Sequence, residues 1–282
     1  MDQKVLVSII IPTFNSEETL SRCLESVRSQ TYTEYEVIVV DKGSTDKTVE
    51  IARLFGAQVF VIEATERSEQ LNFAASKARG QYLYRIDSDF ILESRVLEEA
   101  VEKCDEGYDA IAVHNTSDPT VSFWSKVRKM ERDCYRNDDL NIAARFFKRD
   151  VFESLGGFNE SLVLAEDYDL HNRILRAGFK VGRIKAQEVH IGEPRTFADI
   201  VKKHYYYGTT AKRFIEENPR RGVKQFFPLR VSFIRNSRTF ARHPVLTFGF
   251  IVYQAGRYIP AAMGYTTAHV RLRLADGRTS RR

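Results

Sequence analysis

Apolar positions in the first 113 residues follow two alternating rhythms. Short continuous runs, "VLVSIII" (5–11), "EVIVV" (36–40), "QVFVI" (58–62), "QYLYRI" (81–86) and "YDAIAV" (108–113), have the length and β-branched content of buried strands. Between them the spacing changes to that of helices. Leu20, Leu24 and Val27 share one helical face, and further helices are expected near 46–55, 68–79 and 94–104. Repeated β-α units of this length predict an α/β fold with a doubly wound, mainly parallel sheet covered by helices. Ligands of such sheets sit beyond the carboxyl ends of the strands, where Thr13, Asp41 and Asp87 all fall.

After residue 114 the pattern loosens. A helix is expected over 120–136, and another starts at "EDYDLHNRILRAGFKVG", with Gly178 as its C-cap. Farther on, a helix over 223–242 would put Phe226, Leu229, Phe233 and Phe240 on one side and Lys224, Arg235, Arg238 and Arg242 on the other. The next stretch, "PVLTFGFIVYQAGRYIPAAMGY", is apolar but broken by Gln254, Arg257 and Pro260. A spanning helix needs about 20 predominantly apolar residues, so this is a poor one. A basic amphipathic helix beside a short apolar segment fits the membrane interface. A helical subdomain with solvated arginines is the plainer alternative.

Composition agrees with a globular chain: of 282 residues, 43% are apolar and 29% charged, enough for one sizeable core and a smaller appendage. The opening "MDQKVLVSIIIPTFN" reads as a strand entering a turn, not as a signal peptide. Cys23, Cys104 and Cys134 are widely separated, which suggests packing roles in a reducing compartment. Charge changes the picture more. Residues 195–282 hold 18 Lys/Arg and 4 Asp/Glu, a net +14, whereas residues 1–194 carry a net −9. An acidic body with a basic tail points to a polyanionic partner: a membrane surface, nucleic acid or a phosphorylated substrate.

The chemistry centres on "YLYRIDSDFIL" (82–92). Asp87 and Asp89 are separated only by Ser88, and residues i and i+2 of a strand point the same way. Such a D-x-D pair alone is weak, because strand-end turns produce it often. Its functional reading is a hard divalent cation held by carboxylate and bridging substrate phosphates, so that a departing diphosphate is neutralised.

Context strengthens that reading. "IIIPTFNSEETL", "VVDKGSTDKT", "GQYLYRIDSDF", "GGFNE" and "AEDYDLHNRILRAGFKVG" occur in this order. Together they resemble family 2 glycosyltransferases of the GT-A fold, the group that includes polyprenyl-phosphate mannose and glucose synthases, over roughly residues 4–215. The resemblance implies inverting transfer of a sugar from a nucleotide donor, assisted by Mn²⁺ or Mg²⁺. Asp89 would be the main metal ligand, Asp87 would contact ribose or the metal shell, and His190 would approach the diphosphate or metal. Asp167 would be the general base, Glu166 the second candidate for that role, and Asp169 structural. Pro12, Thr13, Phe14, Asn15, Glu17 and Asp41 would hold base and ribose, with Ser88 beside them. Arg67 would pair with phosphate and Asn72 with donor groups near the metal. One position departs from the family's D-D-G-S turn: Lys42 stands where an acid commonly accepts the N3–H of uracil. Lysine has donors and no acceptor, which favours a carbonyl such as guanine O6.

The resulting expectation is a catalytic domain over 1–215, with a nucleotide-sugar half (1–113) and an acceptor half (114–215), followed by a basic membrane-associating region over 216–282. Its activity would move one hexose, mannose from GDP-mannose first, to a glycolipid or lipid-linked glycan, peripherally on the cytoplasmic face of the cell membrane. A UDP-sugar donor or a polyprenyl-phosphate acceptor is the alternative. Absence of a Q-x-x-R-W signature argues for transfer of one sugar rather than polymer extrusion. A nucleotidyltransferase would carry a glycine-rich basic loop where "PTFNSEET" stands. A non-catalytic membrane or nucleic-acid module fits poorly with intact acidic motifs, so no nucleic-acid partner is expected.

Overall fold

The structure, a computed structural model, describes residues 5–279, with side chains described up to residue 268. The chain divides into two compact units. The first comprises the segment ending at Thr116 together with Asn141–Ser161 and Glu166–Gly192; the second takes Ser117–Leu140, Leu162–Ala165 and the chain from Glu193 onward.

The first unit is built on one eight-stranded sheet. Its strands are β1 (Val7–Thr13), β2 (Tyr35–Asp41), β3 (Gln58–Val61), β4 (Tyr82–Arg85), β5 (Phe90–Leu92), β6 (Ala110–Ser117), β7 (Ala144–Lys148) and β8 (Val181–His190), in the order β3-β2-β1-β4-β7-β6-β8-β5. The helices between them are α1 (Glu17–Arg28), α2 (Thr48–Leu54), α3 (Arg67–Lys77), α4 (Val96–Asp105), α6 (Arg149–Ser154) and α7 (Glu166–Arg176). The four strands β3-β2-β1-β4 run parallel, as the alternating pattern predicts. Beyond them β7 turns antiparallel and inserts between β4 and β6.

β1 is buried along its whole length, which explains its uninterrupted apolar run. Successive side chains point to opposite faces. Ile9 and Ile11 join a cluster with Leu20, Leu24 and Val27, while Ile10 joins Ile38, Val40, Leu71, Phe147 and Leu170. Truncating such a residue to Ala costs about 2–5 kcal/mol, so this sandwich holds the loops at the strand ends. Register sets those loops in place. Thr13 pairs with Asp41 across β1 and β2, and Ile10 with Arg85 across β1 and β4. On the other edge Phe90 pairs with His190, so the Asp87–Asp89 turn meets the end of β8.

The second unit is helical: α5 (Phe123–Asp133), α8 (Phe197–Glu217), α9 (Arg221–Phe226), α10 (Val231–Arg235), α11 (Ser237–Arg242) and α12 (Pro244–Thr279). Residues 223–242 form three short helices rather than the single one expected from their periodicity. Pro228 causes the first break: the preceding Phe227 is extended (φ −69°, ψ 132°), as a residue before proline prefers, and a second break falls at Asn236 (φ −100°, ψ 17°). Leu229 consequently leaves the apolar side and is 79% exposed, while Phe233 stacks near Tyr135, Phe240 and Phe250. The apolar run behind it continues as one helix through Pro260. Gln254 and Arg257, which interrupt that run, face inward, and Arg257 Nη1 donates to the buried Glu131 at 2.6 Å. No described helix is long and apolar enough to cross a membrane.

Candidate active site

The loops that follow β1 and β2 in the first unit are tied together by their own side chains. Asp41 Oδ1 accepts from the backbone N–H of Gly43 (3.0 Å) and Ser44 (2.7 Å). Its Oδ2 accepts from Thr13 Oγ1 (2.8 Å) and Ser44 Oγ (2.5 Å). Asp41 is wholly buried, so its part in the site is to shape the loop. Asn15 stands in the left-handed region (φ 47°), and its Oδ1 accepts from Thr45 N–H at 2.9 Å. Glu17 Oε2 accepts from Lys47 N–H at 3.1 Å, fastening the first loop to the second. Gln70, which sequence reasoning did not single out, donates to the carbonyls of both Thr13 (2.9 Å) and Val40 (2.7 Å). Pro12 and Thr13 are buried beneath, while Phe14 is half exposed. Lys42 Nζ lies 4.8 Å from the centre of the Phe14 ring and 3.4 Å from the Thr65 carbonyl. Ser88 Oγ donates to Ser16 Oγ at 2.9 Å, joining the D-S-D turn to the first loop.

Asp89 and Asp87 have different surroundings. Asp89 is about one-third exposed, and its Oδ2 lies 3.0 Å from His190 Nε2. Gly192 leaves room for it: any Cβ there would collide with the Asp89 carboxylate. Asp87 is enclosed by three guanidinium groups. Arg67 and Arg85 each approach Oδ1 at 3.2 Å, and Arg85 and Arg145 each approach Oδ2 at 3.2 Å. Burial alone would raise its carboxyl, but Arg67, Arg85 and Arg145 hold it far below the usual carboxylate range. The three guanidinium groups thus reach both oxygens of that carboxylate.

The same arginines reach the acids of α7. Glu166 is buried and pairs with Arg67, while Arg85 Nη2 stands 3.7 Å from its Oε1. Asp167 is more open, its side chain 23% exposed, with Oδ2 3.8 Å from Arg85 Nη1. Just before them Ala165 adopts φ 63°. It and Asn15 are the two non-glycine residues with positive φ among the described residues, each a strained backbone next to a site loop. Asp169 points away from this cluster to Arg173 Nε, 2.7 Å distant, a structural pair. Asn72 is also structural in its contacts. Its amide bonds Phe158 through both N–H (2.9 Å) and C=O (2.9 Å), with Nδ2 also 2.9 Å from Glu160 Oε1.

Below this layer lies a buried charge network that sequence reasoning missed. Arg145 pairs with Glu188, to which Tyr84 OH donates at 2.5 Å, and Arg145 stands 4.6 Å from the Phe90 ring centre. Burial raises the Glu188 carboxyl above the ordinary carboxylate range despite Arg145 beside it. A signal was available: Arg85 and Arg145 are charges placed inside strand-like runs, "YLYRI" and "ARFF". Within the cluster, Asp87, Glu166, Asp167 and Glu188 face Arg67, Arg85 and Arg145, with Asp89 beside His190 on the same turn as Asp87, an excess of acids over arginines.

A family profile described as glycosyl transferase family 2 matches residues 8–158. The chain belongs to that family. Glycosyltransferase AglE of Haloferax volcanii is 30% identical over 220 residues, covering 72% of this chain and 71% of the relative. Chondroitin synthase of Escherichia coli is 28% identical over 246 residues, which span 78% of this chain but 34% of the synthase. Among solved structures, the mannosyltransferase PcManGT of Pyrobaculum calidifontis, in complex with GDP-Man and Mn²⁺, superposes with a TM-score of 0.66 at 19% identity, covering 94% of this chain and 88% of that one. S. aureus TarS in complex with UDP gives 0.53 at 21% identity, covering 73% and 65%. This family 2 glycosyltransferase therefore has the GT-A fold that its strand-helix pattern and ordered motifs imply.

Proposed function

We propose that this family 2 protein is an inverting hexosyltransferase, moving one sugar, mannose from GDP-mannose first, to a hydroxyl on a lipid-borne acceptor with help from a divalent cation. The observation that carries this reading is the bridge made by Arg85. One buried guanidinium touches Asp87 of the D-S-D turn and Asp167 at the start of α7, joining donor side and acceptor side in one frame.

Asp167 is the base in this reading, because it is the more exposed member of the pair and can meet an acceptor hydroxyl. Glu166, sealed against Arg67, supports the loop instead. Asp89 and His190 would hold Mn²⁺ or Mg²⁺: a carboxylate and an imidazole side by side, amid an excess of acids, suit such an ion. Among the described residues no group of three or more metal-ligating side chains occurs, so substrate phosphate oxygens would complete the shell. When bound, the ion supplies charge neutralisation for the departing diphosphate. Lys42, a donor without acceptor capacity beside the exposed Phe14 ring, favours a guanine carbonyl over uracil. The GDP-Man and Mn²⁺ bound by the Pyrobaculum enzyme are consistent with that choice.

A lipid-borne acceptor is supported by the surface of the helical unit. Leu229, Val231, Ile234, Val245, Phe248 and Ile251 are each more than 60% exposed. Residues 218–275 contain no acid, and Arg and Lys side chains are interspersed throughout. Bare apolar side chains in a segment of net positive charge match an anionic bilayer surface, met peripherally on its cytoplasmic face.

The test is a donor screen with Mn²⁺ and with chelator, reading sugar transfer into a membrane lipid extract and binding by calorimetry. Transfer from GDP-mannose is expected. Clearly tighter binding of UDP than GDP would overturn the guanine assignment, and transfer undiminished by chelator would overturn the metal.

A further inference from the structure

We infer that Arg85 is a positioning residue for glycosyl transfer, fixing the base Asp167 relative to the donor-side turn through a guanidinium that touches no substrate. Its side chain is 1% exposed, so it cannot serve as a phosphate ligand. Three acids surround it: Asp87 at 3.2 Å, Glu166 at 3.7 Å and Asp167 at 3.8 Å. These acids sit on two elements separated by some eighty residues of chain, the turn after β4 and the first turn of α7. Two features mark the contact as adjustable. Arg85 Nη1 and Nε make no hydrogen bond, although both atoms are buried, and Glu166 Oε2 is likewise buried without a partner. A buried donor normally finds an acceptor, so Nη1 facing Asp167 at 3.8 Å is a contact with room to close.

Arg67 and Arg145 do not duplicate this role. Arg67 is 42% exposed and reaches Asp87 and Glu166, and Arg145 is committed to Glu188 and Asp87. Arg85 Nη1, by contrast, stands 3.8 Å from Asp167 Oδ2 while Nη2 of the same guanidinium reaches Asp87. A planar fork with donors on two edges can hold two carboxylates in fixed orientation, which a lysine's single point cannot.

The inference rests on Asp167 as base, and a double-mutant cycle separates the two. Arg85→Lys, Asp167→Asn and the double variant are assayed in single turnover with radiolabelled GDP-mannose, and donor affinity is measured by calorimetry. Arg85→Lys is expected to lower kcat about 10²-fold, from the cost of slight misplacement, while donor Kd stays within threefold. In the Asp167→Asn background the same change is expected to cost less than threefold, because the group it positions is gone. Equal losses in both backgrounds would overturn the positioning role while leaving the base intact. A fully active Asp167→Asn would instead remove the base reading. If Arg85→Lys unfolds, Arg85→Gln in the same cycle supplies the comparison, with the thermal midpoint as the folding control.

Discussion

His190 Nε2 stands 3.0 Å from Asp89 Oδ2, across an antiparallel pairing that joins the end of β8 to the turn after β4. The pair forms because Phe90 and His190 are register partners, so the imidazole depends on strand pairing and not on a flexible loop. Asp89→Ala is expected to lower Mn²⁺-supported transfer about 10²–10³-fold, the usual scale for losing a group that stabilises developing charge. His190→Gln should raise the Mn²⁺ concentration at half-maximal rate about 10–100-fold. Initial rates across a metal titration check both.

Gly192 makes a sharper prediction than either proposed ligand. An added methyl would meet the Asp89 carboxylate, and Gly192 is remote in sequence from the acidic motif. Gly192→Ala is expected to raise the Mn²⁺ concentration at half-maximal rate about tenfold or more while leaving the thermal midpoint nearly unchanged. The same metal titration, paired with thermal unfolding, decides it.

The two α7 acids should separate cleanly. Asp167→Asn is expected to cut transfer about 10²–10⁴-fold, with stability altered by no more than about 0.5 kcal/mol. Glu166→Gln removes the charge of a buried carboxylate from a partly exposed partner, Arg67, and should cost about 1–3 kcal/mol of stability. Chemical denaturation alongside single-turnover rates distinguishes them.

How far was this legible beforehand? The parallel strands were, because "VLVSIII" and "EVIVV" carry their burial in their composition. Motif order singles out Asp89, Asp167 and His190, and the structure brings Asp89 and His190 together. The same reasoning singles out Asp41 and Asn72, yet Asp41 is engaged by Gly43 and Ser44 of its own turn and Asn72 by the Phe158–Glu160 segment. Motif position says where an acid falls along the chain, not which neighbours reach it first. Arg85 and Arg145 escaped because a charge in a strand reads as noise until the opposing acids, contributed by β8 and α7, are placed.

The helical unit offers a pH test. Glu131 is buried; burial would raise its carboxyl, but Arg128, Arg257 and Arg230 and a hydrogen bond from Tyr135 hold it below the usual range. A depressed folded-state value means stability that is present above the unfolded value, about 4.3, and lost as pH falls through the folded value. Glu131→Gln is therefore expected to lower stability at pH 7 by about 3–5 kcal/mol and to flatten the decline below about pH 4.5. Thermal midpoints from pH 7 down to pH 3 read this directly.

Membrane attachment is tested without activity. Leu229→Glu with Ile234→Glu should abolish co-sedimentation with anionic phosphatidylserine vesicles and leave the fold intact, since both residues are more than 70% exposed. Wild-type binding should weaken steeply with salt, each nearby Lys or Arg contributing about 1 kcal/mol. Salt-insensitive binding, or a dimer lost in the variant, would point to a protein partner instead.

The self-bonded donor loop has a thermodynamic consequence. Asp41 satisfies Thr13, Gly43 and Ser44, and Asn15 satisfies Thr45, so these turns already exist as a finished surface. Ordering a loose loop would cost about 1–2 kcal/mol per residue, a charge on affinity that this loop does not incur when the nucleotide arrives. On the proposed reading, in which these turns hold the base, choice between donors would then rest on shape and on the side chains at the rim, Phe14 and Lys42 among them.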